Sequence, residues 1–337
     1  YLRFDVVRSS FTIDSVDVQC IMFGTAWINV LFQSFHNPYA RIIIQNSYLD
    51  LDGAFIEAYF PVSLHIVGSH VNVTNMEYGV WFDFLYDCSG PDGVTDYYAD
   101  LILENNLFTE FNEQGLYMLF FFRSHGDLIY RNNTMTRFKY IESSRFPFFV
   151  TRPSSSCDVE GRQKQLLYTG NTFYDIHNNN IIFFNNYQSS YKEDVTFTLT
   201  NNYFENCTIN TQFFKLQVID TKAMTVFVAN NYLKDVVVPN QYTIFYLSSA
   251  LSDLTIQNET ILDCQLDDVY YIGDVNNVRI QDVYFTYTNN TEAITSSSAF
   301  IVINNAHGLV EISNYIVERS HFNYGRALLI QAAFSLD

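Results

Sequence analysis

An apolar residue, any residue, a second apolar residue, any residue, then Asn, Gly or Asp, then two of any kind and a third apolar residue: this frame recurs ten times along the chain. Its fifth position is Asn46, Gly68, Asn105, Asn132, Gly170, Asn201, Asn230, Asn258, Asp282 and Asn314. The last slot is Leu49, Val71, Phe108, Met135, Phe173, Phe204, Leu233, Ile261, Phe285 and Val317. Successive copies lie 22 to 38 residues apart, so the frame is a structural repeat with insertions of variable length.

Apolar residues at every second position predict a strand with one buried face. The Asn, Gly or Asp that follows tolerates left-handed backbone and turns the chain through a sharp corner, after which the next apolar residue points inward again. A second element lies upstream of each frame. It is short and aromatic, at 26–33, 54–60, 79–86, 115–122, 146–150, 180–185, 211–216, 242–247, 269–273, 299–303 and 326–331. Each unit therefore predicts an aromatic strand, a connection, an alternating strand, a corner and a short strand. No unit holds a ten-residue helical stripe.

Short strands repeated in this way predict an all-β solenoid in which each coil touches only its neighbours. The corner frame, as in Tyr168-Thr-Gly-Asn-Thr-Phe173 and Leu199-Thr-Asn-Asn-Tyr-Phe204, resembles that of the right-handed parallel β-helix, the pectin-lyase-like superfold. The resemblance covers nearly the whole chain. It implies one parallel β-helix domain over 1–337, with 10–11 coils of three short strands and loop insertions at 86–100, 151–165 and 187–196. At the ~4.8 Å strand spacing this is a rod of roughly 50 Å. The corner residue has two readings: a buried Asn ladder bonded from coil to coil, or a left-handed corner facing solvent. Gly at two coils and Asp at a third favour the second, since Gly has no side chain to ladder.

The net charge is −18, with 18 Lys and Arg against 36 Asp and Glu. That opposes nucleic-acid and anionic-membrane partners, and no run of eighteen apolar residues predicts a membrane span. No initiator Met is present, which reads as a processed or partial chain. Calcium enters only through loop acids such as Asp87, Asp92, Asp96 and Asp100, which form no ordered motif. No other cofactor is expected, because there is no phosphate-binding glycine loop and no His cluster at metal spacing.

Five sequons are present, at Asn72, Asn132, Asn206, Asn258 and Asn289. Asn72 and Asn206 neighbour inward apolar positions and should point outward. Asn289 lies in a polar loop. Asn132 and Asn258 occupy the corner itself, where a glycan requires the solvent-facing reading. Together they predict a secreted or cell-surface glycoprotein.

Five cysteines form no CxxC pair, so there is no zinc signature. Cys207 and Cys264 each fall six residues after a corner, two coils apart. That separation of roughly 9.6 Å exceeds the ~7 Å reach of a disulfide. Both are predicted to be buried and not joined to each other. Cys88 and Cys157 sit in long insertions that can close such a gap and form the candidate disulfide. Cys20 is unassigned.

The aromatic strands do not alternate apolar and polar as a sheet with a wet face should. If one residue of each pair points inward, its neighbour points out. An outer apolar face results, bearing Tyr117, Phe120, Phe121, Phe148, Phe149, Phe183, Phe184, Phe213, Phe214, Tyr270 and Tyr271. A face of that size should be covered. This predicts a structural rod that self-associates, or packs on other surface glycoproteins, to form a filament or coat. The alternative is an aromatic platform for sugar rings.

Resemblance to β-helix enzymes that cut acidic polysaccharides raises a catalytic reading. Asp267-Asp268, Arg279-Ile280-Gln281, His125-Gly126 and His307-Gly308 resemble scattered pieces of the hydrolase set. Their order differs from that set, and Gln281 stands where the motif has Lys. Asp267, Asp268 and His307 are the candidate catalytic residues of this alternative. Carboxylate catalysis needs two carboxyls about 5–9.5 Å apart, and the sequence places no third partner beside the Asp pair.

Overall fold

The computed structural model describes residues 3–4, 10–14, 17–20, 29–32, 41–51, 55–58, 63–73, 82–84, 100–109, 112–113, 120–122, 126–140, 149–151, 163–178, 183–187, 194–210, 212–218, 224–238, 243–249, 253–290, 299–322 and 326–331. Every pairing among the described strands is parallel, and each joins a strand to its counterpart one repeat later. The aromatic strands form a twelve-stranded sheet in chain order, from Arg3–Phe4 through Phe120–Phe122, Phe183–Tyr187, Phe214–Val218, Thr243–Ser249, Asp268–Ile272 and Ala299–Asn304 to Arg326–Gln331. The alternating frame strands and the short strands after the corner form a second, 23-stranded sheet. The described chain is therefore all-β and solenoid-like; of the expected insertions, residues 86–99, 152–162 and 188–193 lie outside the described residues, and the bounds are corrected at 163–165 and 194–196, which are paired strand.

Register follows the frame residue by residue. Leu101 pairs with Leu64 on one side and Leu128 on the other, and Leu103 pairs with Ile66 and Tyr130. Beyond the corner, Phe173 pairs with Met135 and Phe204. A slip of one residue would turn each inward set outward, so burial fixes the register. All ten corner positions have positive φ, from 49° at Asn46 to 67° at Gly170. The left-handed corner is thus the reading that holds for the fifth frame position, and Asn46, Asn105, Asn132, Asn201, Asn230 and Asn258 are solvent-exposed there.

The inward columns merge into one hydrophobic core running from Ile42 to Ala306. The aromatic pairs contribute differently from the expectation. Phe213 and Phe214 are both fully buried. Phe213 stands before the strand, still in the bend, and packs against Phe173 and Phe204 at 4.7 and 5.0 Å between ring centroids. Phe214 opens the strand and stacks on Phe183 at 4.7 Å. Alternation applies only within a strand, so a pair straddling its start can send both rings inward. Phe183 and Tyr270 are also fully buried. The interface expectation is therefore corrected: Phe183, Phe213, Phe214 and Tyr270 are core. Each such burial stabilises the fold by roughly 1.5–3 kcal/mol.

Phe120 and Phe149 share the register column of Phe183. The neighbouring register column runs through Phe121, Phe184, Lys215, Tyr246, Tyr271 and Val302. Of its described side chains, Lys215, Tyr246 and Tyr271 are half-buried and Val302 is buried. Tyr117 and Phe148 lie outside the described residues.

Candidate functional site at the Asn corner

One residue after the exposed corner, the side chain turns inward and is buried. This sixth frame position reads Ser47, Ser69, Asn106, Asn133, Asn171, Asn202, Asn231 and Glu259. In each step the backbone N–H of one coil donates to the side-chain oxygen of the next. Ser69 N donates to Asn106 Oδ1 at 2.9 Å, Asn106 N to Asn133 Oδ1 at 3.0 Å, and Asn133 N to Asn171 Oδ1 at 2.9 Å. Asn171 N donates to Asn202 Oδ1 at 3.1 Å, Asn202 N to Asn231 Oδ1 at 3.0 Å, and Asn231 N to Glu259 Oε1 at 3.0 Å. Each Asn amide also donates backward, to the carbonyl two residues before the preceding corner: Asn106 Nδ2 to Ile66 O at 2.7 Å and Asn171 Nδ2 to Tyr130 O at 2.9 Å. Such bonds satisfy backbone groups that an interior corner would otherwise strand.

The two readings of the Asn corner are therefore both present, one residue apart. The exposed Asn makes the turn and its successor makes the ladder. The signal in the sequence was the doublet, as in Asn132-Asn133, Asn201-Asn202 and Asn230-Asn231. A frame with one polar slot could not separate the two roles.

The ladder ends in a carboxyl. Glu259 is fully buried, and its Oε1 accepts from both the N–H and the Nδ2 of Asn231. The Tyr270 hydroxyl, reaching from the aromatic sheet, donates to Oε2. Burial pushes the Glu259 carboxyl up to about 7, against the opposing pull of the Tyr270 and Asn231 hydrogen bonds. The matching position of the next coil is Val283, which offers no acceptor.

A second left-handed corner follows five residues after the first, at Arg137, Asp175, Asn206, Asp235, Asp263, Tyr287 and Arg319. The sequence frame did not include it, although three Asp and one Asn at that offset were its signal. The residue after each turns inward, and the set includes Cys207, Cys264 and Thr288. Cys207 and Cys264 are buried free thiols, as their spacing required. Cys88 and Cys157 lie outside the described residues.

The candidate catalytic residues are not brought together. Asp267 is buried and Asp268 opens the strand Asp268–Ile272, where its Oδ1 accepts from Ala299 N at 3.0 Å. His307 lies beyond the far end of the next strand, its N–H bonded to Val275 O, and its ring is 3.9 Å from Asp274. Arg279 pairs instead with Glu311 on the outer face. Of the loop acids weighed for calcium, Asp100 accepts from Asp127 N at 2.9 Å at the start of a frame strand. Asp87, Asp92 and Asp96 lie outside the described residues. Among the described residues, no group of three His, Cys, Asp or Glu is placed to hold a metal ion, and no helix is long and apolar enough to cross a membrane.

The sequons divide. Asn132, Asn206 and Asn258 stand exposed on left-handed corners. Asn289 is exposed but belongs to a short paired strand, Asn289–Asn290, rather than a loop. Asn72 alternates away from the core, yet it is buried, with Oδ1 accepting from Thr109 Oγ1 at 3.2 Å. The expectation that it faces solvent is corrected.

Comparison with protein-family models, curated proteins and solved structures finds no match to this chain.

Proposed function

We propose that the chain is a right-handed parallel β-helix of the pectin-lyase-like kind, serving as a glycosylated structural rod outside the cell or on its surface. One observation carries this reading. The sequons at Asn132, Asn206 and Asn258 fall on exposed corners, and none begins at the buried ladder residues Asn106, Asn133, Asn171, Asn202 or Asn231. Glycans attached at these corners would project to solvent without disturbing the core or the ladder.

The outer tyrosines also favour a rod over a sugar-binding platform. Tyr203 and Tyr232 stack at 5.3 Å with planes 5° apart, and Tyr246 and Tyr271 at 5.0 Å and 7°. Within each pair the ring faces meet one another along the stack. The edges are left for solvent, whereas a sugar ring packs on a face. Further copies, or other surface glycoproteins, would meet the face that carries the half-buried Tyr246 and Tyr271 to build a filament or coat.

The test is site-resolved glycan mapping together with electron microscopy of material secreted from a eukaryotic host. Glycans at Asn132, Asn206, Asn258 and Asn289, with filaments or regular oligomers, are expected. An unmodified secreted chain would overturn the glycoprotein reading, and isolated rods at every concentration would overturn assembly.

A further inference from the structure

We propose that Glu259 and Tyr270 form a proton switch in the solenoid: a protonated Glu259 closes the end of the buried amide ladder, and its ionisation loosens the coils from residue 253 onward. The geometry is specific to this position. Glu259 occupies the ladder slot that Asn holds in the five preceding coils and shares with them the acceptor role toward the previous coil. Unlike Asn, it brings a second oxygen and a proton-binding equilibrium into a place with no solvent contact.

The proton has one place to go. Oε1 already accepts two hydrogens from Asn231, so protonation occurs at Oε2, and the bond to Tyr270 then runs from the acid to the phenol oxygen. When Glu259 ionises, the proton leaves to solvent and the Tyr270 hydroxyl donates to the carboxylate instead. A full negative charge is then buried against three donors, none of them cationic.

Among the described residues, none packed against Glu259 provides a compensating charge. From the coil before comes Asn231, from the coil after comes Val283, and from the aromatic sheet comes Tyr270, whose hydroxyl is held well above its ordinary range by burial. The Cys264 thiol of the same coil is pushed up to about 12 by burial and stays protonated. The corner carboxylate Asp263 is exposed, and Asp282 accepts from Asn314. Asp268, two residues before Tyr270, is pushed up to about 7 by burial, so it titrates in the same range and must be silenced to isolate Glu259.

The sign follows from linkage. The folded carboxyl binds its proton more tightly than the unfolded one, whose ordinary value is 4.5. The stabilising contribution is complete below that value and is lost as pH rises to about 7, beyond which it changes no further.

The experiment is urea unfolding and hydrogen exchange, between about pH 4.5 and pH 8.5, on the Asp268→Asn protein with and without Glu259→Gln. Without Glu259→Gln, the folding constant should fall by roughly 10- to 300-fold across this range. Protection should be lost first in peptides from 253–290 and 299–331. Glu259→Gln keeps an acceptor for Asn231 and carries no proton equilibrium, so it should abolish this component. Tyr270→Phe keeps the buried ring but removes the donor to the carboxylate, so it should move the transition to higher pH. A transition unchanged in both variants overturns the switch. If Glu259→Gln does not fold, an unshifted transition in Tyr270→Phe does so alone. Both outcomes are independent of glycans and filaments.

Discussion

The amide oxygen of Asn132 lies over the corner of the next coil at Gly170, where a Cβ would stand 2.3 Å away. Gly170 also has φ +67°, a backbone that residues with a Cβ adopt at a cost. Gly170→Ala should therefore lose stability twice, by roughly 1 kcal/mol for the backbone and about 0.5 kcal/mol for turning the exposed Asn132 amide aside. Adding Asn132→Gly should recover the second part only. At Gly68 the equivalent Cβ would meet Asn46 Oδ1 at 3.0 Å, so Gly68→Ala should cost less. Urea midpoints of the four proteins check the order. Equal losses at Gly68 and Gly170 would refute the contact as the cause.

A central rung should matter more than the corner beside it. Asn171→Ala removes the acceptor of Asn133 N and the donor to Tyr130 O, in a site with no solvent. Leaving buried groups unmet costs about 1–3 kcal/mol each, so a loss of roughly 3–5 kcal/mol is expected. The exposed corner Asn201→Gly keeps left-handed backbone accessible and should shift stability by less than about 1 kcal/mol. Chemical denaturation of both variants distinguishes the roles, and similar losses would argue against a ladder.

The corner frame was legible because burial, strand alternation and the left-handed turn each leave a residue-type signal at a fixed offset. Leu101, Leu103, Asn105 and Phe108 could be placed from spacing alone, and the parallel register of their coils follows it. The ladder was hidden because Asn132 and Asn133 are the same residue type in opposite environments, one exposed and one buried. Glu259 was less visible still: in a sequence it reads as a surface acid, and only the neighbouring coil and Tyr270 show that it is enclosed. Phe213 and Phe214 misled because the strand boundary between them cannot be read from two adjacent phenylalanines.

Asp268 should make its own contribution to pH dependence. Burial raises its carboxyl to about 7, with the neighbouring Asp267 adding to the rise and the Ala299 N–H opposing it. The folded value lies above the ordinary 3.8, so its stabilising contribution is complete below that pH and is lost as pH rises to about 7. In a Glu259→Gln background, unfolding free energies at about pH 4 and pH 8 should differ more for Asp268 than for Asp268→Asn. Parallel pH profiles for the two proteins would show that Asp268 is not protonated in the fold.

Cys207 and Cys264 should resist thiol reagents until the chain unfolds. Each thiol is buried and donates to the carbonyl two residues earlier, Cys207 Sγ to Glu205 O at 3.3 Å and Cys264 Sγ to Leu262 O at 3.2 Å. Burial pushes both thiols up to about 12, so the reactive thiolate is scarce at neutral pH. Thr288 makes the same bond one coil further on, its Oγ1 donating to Thr286 O at 3.2 Å. Phe138, Ile176 and Val236 fill the same slot of other coils without such a bond, so the slot is defined by burial and thiol chemistry is incidental to it. Cys264→Ser should cost less than about 1.5 kcal/mol, because the hydroxyl keeps the bond. Cys264→Leu should cost about 1–3 kcal/mol through overpacking. Maleimide labelling read by peptide mass spectrometry checks reactivity: at neutral pH both cysteines should label at least about 100-fold more slowly in the folded chain than in urea. Labelling of Cys207 and Cys264 at the unfolded rate would show that the second corner opens freely, and the inward stack would then end at the first.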